Sequence, residues 1–237
     1  MSEWKARRFW TRAEVEPQDH GFRVTLDGRH LRTPAKAELH LPTRALAEAV
    51  AAEWEAQGEV IDPQSMPVTR TANSAIDKVM PQRAAVADML AEYGGTDLLC
   101  YRAEAPEELT LRQAQSWDPL LDWAARALGA PLTAGVGVMH VTQPEASLAA
   151  LSGRVHRFGA FELAALHDLV ALSGSLVIGL AVTEGHDTPE RLWEVSRIDE
   201  TWQEEQWGRD DEARAGAQRR RADFLHAARV HRLCRAA

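Results

Sequence analysis

The chain has 237 residues, of which 45% are hydrophobic and 26% are charged, and its formal net charge is −8. This length and composition are typical of a globular protein that can bury one large core or two smaller ones. The negative charge argues against a general nucleic-acid binder, because such proteins need a positive excess to displace counterions from phosphates.

The longest apolar run, Leu176 to Val182, is much shorter than the roughly 20 residues that span a bilayer. The start of the chain has no apolar segment typical of a signal peptide, and it does not resemble a transit peptide. Cys100 and Cys234 lie far apart and are expected to be free thiols in a reducing compartment. The sequence therefore predicts a cytoplasmic protein, most simply a bacterial one, that has no membrane partner.

The first forty residues carry strand patterns, in which apolar side chains alternate with polar ones at Phe22, Val24 and Leu26. Asp27 and Gly28 supply the positive φ angles of a tight hairpin turn. A third short strand is expected at 39–41. Thr43 is then a good N-cap for a helix whose apolar residues, from Leu46 onward, recur every four positions.

Residues 59–70 contain two prolines and no helical period. We therefore place a domain boundary there, between residues 1–65 and residues 66–237. The patterns after it are helical. The sequence predicts the α+β class, with a small N-terminal α/β domain of antiparallel strands and a packed helix, followed by a larger all-helical domain.

Two helices of the second domain are predicted in more detail. Asp118 is expected to cap a helix that has Pro119 in its first position and Gly129 after its end. The buried face of that helix is expected at Leu120, Trp123 and Ala127. A second helix, from about 161 to 183, is apolar on most sides and is predicted to be the central helix of a bundle.

The common phosphate-loop, nucleophile and zinc motifs GxGxxG, GxxxxGK[ST], GxSxG and HExxH are absent from the sequence. His226 and His231 are five residues apart, so a helix would turn them about 140° from each other and away from a shared metal ion. His167 and Asp168 are expected to form a local pair. We therefore expect no catalytic residue, no cofactor and no metal site, and a protein that is not an enzyme.

The stretch from Ser196 to Ala213 holds two tryptophans among seven acidic residues. On a helix, one apolar stripe would run through Leu192, Val195, Ile198 and Trp202, which predicts a buried face that ends at Trp202. Trp207 lies five residues further on, about 140° around the helix, and cannot share that face. The polar surface beside the stripe contains Asp199, Glu200, Gln203, Glu204 and Trp207.

Gly208 is expected to end this helix. Asp210, Asp211 and Glu212 are expected to begin another, where acidic side chains suit the positive end of the helix dipole. The last 25 residues carry seven arginines and one aspartate. Two alternatives stay open: the acidic surface pairs with this basic helix, or it is displayed to a basic patch of a partner with Trp207 as the anchor.

Eight motifs, in order along nearly the whole chain, resemble those of the ATP12 family of F1-ATPase assembly chaperones. They are RFW near the start, VTLDGRHLRTPAK (24–36), LAEAVAAEWEAQ (46–57), DPQSMPVTRTANSAIDKV (62–79), YGGTDLLCYRA (93–103), WDPLLDW (117–123), SGSLVIGLAV (173–182) and SRIDETWQEEQWG (196–208). The resemblance implies binding without catalysis: the chain would hold the unassembled F1 α subunit and shield a surface that the β subunit later covers.

The resemblance also bears on the acidic stretch. An acidic position before the family's WG motif matches Asp199, where other members carry glutamate, so either Asp199 or Glu200 makes the leading contact. We predict that the partner-binding residues are Asp199, Glu200, Gln203, Glu204 and Trp207, and that the free protein is monomeric. The alternative is a generic helical interaction module with another partner.

Overall fold

The structure is a computed structural model that describes residues 7–208 and 211–236. The chain divides into two compact units. The first takes in Met1–Arg83, Gly159–Ala165 and Arg229–Ala237, and the second takes in Ala84–Phe158 and Leu166–Ala228. Strands are concentrated in the first unit and helices in the second, so the predicted α+β class is confirmed.

The first unit is built on a small antiparallel sheet. Its strands are β1 (Ala13–Gln18), β2 (Gly21–Leu26), β3 (Arg29–His30) and β4 (His40–Leu41). Strand β2 pairs with each of the other three. Asp27 and Gly28 have φ angles of 47° and 79° between β2 and β3, which confirms the predicted hairpin. The strand expected at 39–41 is β4. Strand β1 was not predicted, because its sequence AEVEPQ contains few strand-forming residues.

Helix α1 (Arg44–Glu55) packs on this sheet. Leu46 and Val50 of α1 are fully buried, as is Val24 of β2. The hydroxyl oxygen of Thr43 accepts a hydrogen bond from the Leu46 N–H at 3.2 Å, so Thr43 is the N-cap that the sequence predicts.

The first unit continues beyond residue 65 into helix α2 (Pro67–Ser74). The Glu53 carboxylate, on α1, accepts hydrogen bonds from the N–H groups of Val68 and Thr69 at 2.7 and 2.8 Å. An anion in this place satisfies free N–H groups at the start of α2 and ties α2 to α1. The domain boundary that the sequence places between residues 65 and 66 stays a prediction.

The remaining elements are mainly helices. They are α3 (Arg83–Glu92), α4 (Glu107–Trp123), α5 (Glu145–Val155), α6 (Ala160–Ser173), α7 (Leu176–Thr183), α8 (Pro189–Ser196), α9 (Ile198–Trp207) and α10 (Asp211–Arg235). Two short strands, β5 (Tyr101–Arg102) and β6 (Gly135–Val136), pair in parallel. Within residues 7–208 and 211–236, no helix combines the length and the apolar character needed to cross a bilayer.

The helix predicted to have Pro119 as its first residue in fact begins at Glu107, and Pro119 lies inside α4. The Asp118 carboxylate does not cap a helix and instead accepts a hydrogen bond from Arg102 Nη2 at 2.7 Å. The helix runs through the proline because a buried stripe continues on both sides of it, at Leu109, Gln113, Trp117 and Leu120. Burial of this stripe outweighs the backbone hydrogen bond that proline cannot make.

Of the buried face predicted for the end of this helix, Leu120 is buried as predicted, but the register is wrong beyond it. Beyond Trp123 the helix continues as a π-helical turn, Ala124–Leu128, which places an extra residue in the turn. Ala124 and Leu128 are buried there, whereas Ala127 is exposed and Trp123 is half-buried. Gly129 ends the turn with a φ of 67°, as the sequence predicts.

The single helix predicted from 161 to 183 is two helices, α6 and α7, separated at Gly174, whose φ is 72°. The Ser175 hydroxyl then accepts from the Ile178 N–H at 3.0 Å and caps α7. A Cβ on Gly179 would lie 2.8 Å from Val170 Cγ2, so a glycine is required for α7 to pack closely on α6. Apolar composition did predict the burial of these helices but did not predict the break.

Asp97 is a completely buried carboxylate that organises the start of α7. It accepts hydrogen bonds from the Ser175 hydroxyl at 2.7 Å, the Val177 N–H at 2.9 Å and the Leu99 N–H at 3.1 Å. Burial raises the pKa of Asp97 to about 6, and these hydrogen bonds oppose part of that rise. One carboxylate thus satisfies donors at the starts of two helical segments.

We predict that Asp97→Asn lowers the free energy of unfolding by about 2 to 3 kcal/mol at pH 5, because the amide NH2 cannot accept a hydrogen bond, whereas both oxygens of the protonated carboxyl group still can. The folded-state pKa lies above the unfolded value of about 3.8, so the stabilising contribution of Asp97 is complete below pH 4 and decreases as the pH rises to about 6. Urea denaturation of both proteins from pH 4 to pH 8 would measure this. The difference between them should shrink up to pH 6 and then stay constant, and a difference that grows with pH would contradict the prediction.

Candidate functional site

The buried stripe predicted along α8 and α9 positions the candidate site. Leu192, Val195 and Ile198 are buried, as predicted. The two helices are separate, because the backbone leaves helical geometry at Arg197, with φ −111° and ψ 18°. The break leaves carbonyls at the end of α8 without helical partners, and the indole N–H of buried Trp117 donates to the Val195 carbonyl at 2.9 Å.

The prediction that Trp202 closes the buried face was wrong, because Trp202 is only half-buried. The guanidinium of Arg112, on α4, lies over its ring at 5.1 Å from the centroid. The same guanidinium forms an ion pair with Glu205 at 2.9 Å, and the hydrogen bond to Glu205 raises the pKa of Arg112. Arg112 therefore covers Trp202 and joins α9 to α4.

We call the five predicted residues Asp199, Glu200, Gln203, Glu204 and Trp207 the acidic ridge. All five lie in the single helix α9, and spacings of three and four residues bring Glu200, Gln203, Glu204 and Trp207 to one face. Gln203 and Trp207 are exposed, and the three acidic side chains are half-buried. The structure therefore brings the predicted residues together in one surface.

Asp199 and Glu200 of the acidic ridge contact side chains within the protein. Asp199 Oδ1 accepts a hydrogen bond from Gln113 Nε2 at 2.6 Å, and Gln113 is only 1% exposed. Glu200 pairs with Arg197, which also lies over the ring of Trp193 at 5.7 Å from the centroid. The sequence left open a pairing of this surface with the basic C-terminal helix. Among the described residues, Asp199 contacts Gln113, Glu200 pairs with Arg197 and Glu205 pairs with Arg112.

Trp207 is the last residue of α9 and is 81% exposed. Gly208 follows with a φ of 88°, so the predicted helix end is confirmed. The next helix, α10, begins with Asp211 and Glu212 in its first turn. Asp210, predicted to start that helix, lies outside the described residues. A large aromatic ring at the exposed end of a helix is available for contact with a partner.

A groove with a volume of about 570 Å³ adjoins the ridge. Helices α4, α8, α9 and α10 line it, and Ile198, Thr201 and Glu204 of α9 face it. Its charged lining includes Arg112, Arg191, Arg197, Arg221, Glu194, Glu204 and Glu205. Both positive and negative groups thus line the groove beside the ridge. Among the residues that the structure describes, no group of three or more His, Cys, Asp or Glu side chains has a geometry suited to a metal ion.

Sequence reasoning missed Arg112 and Gln113. Both lie on α4, 86 residues or more before the α9 residues that they contact, and no local pattern links such distant positions. The only signal was the buried stripe of α4, in which a glutamine at position 113 occupies an otherwise apolar place. A buried polar side chain needs a hydrogen-bond partner, so it is a reason to look for one.

Comparisons with known proteins agree with this architecture. Residues 7–125 match the family described as ATP12 chaperone protein. Atp12 from Paracoccus denitrificans is 54% identical to this chain, covers 98% of it with all of its own length and superimposes with a TM-score of 0.95. A structure of a point mutant of the same protein is 53% identical, covers 99% of this chain and all of its own, and has a TM-score of 0.96.

A curated relative is the mitochondrial protein atp12 of Schizosaccharomyces pombe. It is 23% identical over 219 residues, which are 87% of this chain and 75% of the relative. The family match spans half of the chain, and the bacterial structures match nearly all of it. The chain therefore belongs to the ATP12 chaperone family, the family of F1-ATPase assembly factors that its sequence motifs resemble.

Proposed function

We propose that this chain is a non-catalytic assembly chaperone that binds the unassembled F1 α subunit and shields its subunit interface until the β subunit docks. The observation that carries the proposal is the acidic ridge, which ends in the exposed Trp207, in a member of the ATP12 chaperone family. Family membership supports the role in assembly. The ridge supports the kind of contact that the role requires.

The ridge offers two kinds of interaction. Glu200 and Glu204 present negative charge that would attract a basic patch and orient the encounter. Trp207 presents a large aromatic surface of the kind that contributes most to binding when it enters a pocket on the partner. Asp199 is held by Gln113, so it adds charge in a fixed position. Such preorganisation reduces the entropy lost on binding.

Shielding is the physical need that such a chaperone meets. A single subunit taken from a ring exposes interface area that is normally covered and that favours aggregation. A protein that covers this area must later yield it to the proper neighbour. Competition for the same surface achieves this, because the neighbour needs only the greater affinity. We propose that the chaperone acts as a monomer.

The first prediction concerns partner choice. The purified chain should form a complex with isolated F1 α subunit, but not with isolated β subunit or with assembled F1, in size-exclusion chromatography with parallel calorimetry. The reason is that the contact surface on α is covered once the β subunit is in place. Binding to β alone, or to neither subunit, would refute the proposed function and favour a helical interaction module with another partner.

The second prediction concerns charge. Glu200→Lys should weaken binding to the α subunit at least tenfold, roughly 1.4 kcal/mol, because a cation then faces the basic patch. Its cost in folding stability should stay within about 1 to 2 kcal/mol, since the change removes the ion pair with Arg197 and reverses a charge in the first helical turn. Asp199→Lys should weaken binding similarly but destabilise the fold more, because it also loses the hydrogen bond from Gln113.

The matched control is Glu14→Lys, the same charge reversal at an exposed position of β1. It should bind the α subunit as the wild type does. Circular dichroism and thermal unfolding of all three variants would separate loss of contact from loss of fold. Equal binding by Glu200→Lys and by the control would exclude the ridge as the contact surface.

The third prediction concerns Trp207. Trp207→Ala should weaken binding to the α subunit by about 2 kcal/mol, roughly thirtyfold, because an aromatic anchor is lost. The free energy of unfolding should change by no more than about 0.5 kcal/mol, because the ring is exposed in the free protein. Calorimetric titration and urea denaturation would measure the two quantities. A stability loss without an affinity loss would assign Trp207 to folding.

A further inference from the structure

A second surface of the same unit is apolar. We call Val136, Gly137, Val138 and Met139 the apolar loop. Val136 is 65% exposed, Val138 is 94% exposed and Met139 is 79% exposed. Single exposed apolar residues are common on protein surfaces. Three within four consecutive positions form a patch, and Val138 is the most exposed large hydrophobic residue in the described part of the chain.

The base of this loop is held in place. Arg102 of β5 pairs with Val136 of β6, and the Gly137 N–H donates to the Arg102 carbonyl at 2.8 Å. On the other side of the tip, the buried Gln143 side chain accepts from the Thr133 N–H at 2.8 Å and donates to the Thr133 carbonyl at 2.9 Å. The exposed valine and methionine side chains at the tip contribute nothing to folding stability, because they are not buried. Folding alone therefore does not explain why the base of the loop is held in place.

Three hydrogen bonds in series connect the loop to the acidic ridge. The peptide group between Arg102 and Ala103 accepts from Gly137 through its carbonyl and donates to Gln113 Oε1 through its N–H, at 2.8 Å in each case. Gln113 Nε2 then donates to Asp199 at 2.6 Å. The bond from Ala103 also fixes the orientation of the Gln113 amide, because its oxygen must accept there.

This connection limits how far apart the two surfaces lie. Peptide and hydrogen-bond dimensions place the Gly137 nitrogen within roughly 13 Å of Asp199 Oδ1. A protein–protein interface of standard size covers about 800 Å² on each partner, which is a patch roughly 30 Å across. The separation between Asp199 and the base of the apolar loop is therefore smaller than the width of one ordinary interface.

We propose that the apolar loop is a second contact for the protein client that binds the acidic ridge, and that it fits an apolar recess in the client's subunit interface. This inference rests on the proposed function. The Glu104 carboxylate lies against Gly137, but the loop itself carries no charged side chain between Val136 and Met139, so its exposed tip complements an apolar surface. The ridge then supplies attraction and orientation, and the loop covers the apolar area that needs shielding.

The test uses the full chain with both tip residues changed, Val138→Asp and Met139→Asp together. Its affinity for isolated F1 α subunit should fall at least tenfold, measured by calorimetry. A conservative pair, Val138→Ile with Met139→Leu, should retain wild-type affinity. The matched control is Met89→Asp on α3, the same change at another exposed methionine, 42% exposed, which should bind within twofold of the wild type. All variants should keep the wild-type thermal midpoint.

Several outcomes would overturn the proposal. If the double aspartate variant binds the α subunit with wild-type affinity, the loop is not part of the interface. This conclusion holds even when Glu200→Lys loses binding and the proposed function stands. The wild type could also bind phosphatidylglycerol vesicles, or form a dimer in sedimentation. If the double aspartate variant loses either property but keeps its affinity for the α subunit, the loop serves that other contact and not the client. If the wild type does not bind α at all, the proposed function and this inference fail together.

Discussion

The candidate site depends on the core through one hydrogen bond, which the Trp117 indole N–H donates to the Val195 carbonyl. Trp117 is fully buried in α4, and Val195 lies in the last turn of α8, where the helix breaks. Without a donor at this point, a buried carbonyl would remain unpaired, at a cost of about 1 to 3 kcal/mol. The bond therefore fixes where α9 begins, and the direction of α9 determines which residues form the ridge.

The candidate site was largely predictable as a helix and only partly as a surface. Periodicity placed Leu192, Val195 and Ile198 in the core, and a turn of about 140° separated Trp207 from that face. Periodicity could not foresee Arg112, because its contacts with Trp202 and Glu205 join residues more than 85 positions apart in the chain. Long-range pairing depends on tertiary packing, which a helical pattern does not encode.

The fold was predictable where local chemistry decides it. The Asp27 and Gly28 turn and the Thr43 cap are determined by a few neighbouring atoms, and both are present as predicted. Pro119 shows the opposite case. Its local preference favours a helix start, yet the buried stripe on either side carries the helix through it. The break at Gly174 likewise depends on packing and on capping by Asp97, which acts from nearly eighty residues away.

The internal pairing of the ridge has a consequence for how a partner would leave. Glu200 is already engaged by Arg197, so an incoming cation exchanges one ion pair for another. Such an exchange yields less net free energy than the pairing of two separate charges, although it still selects for the sign of the incoming group. A surface of this kind distinguishes cationic from anionic groups well but binds the cationic group with only moderate affinity. At Glu200, Arg197 thus competes with any incoming cation, which favours a reversible contact.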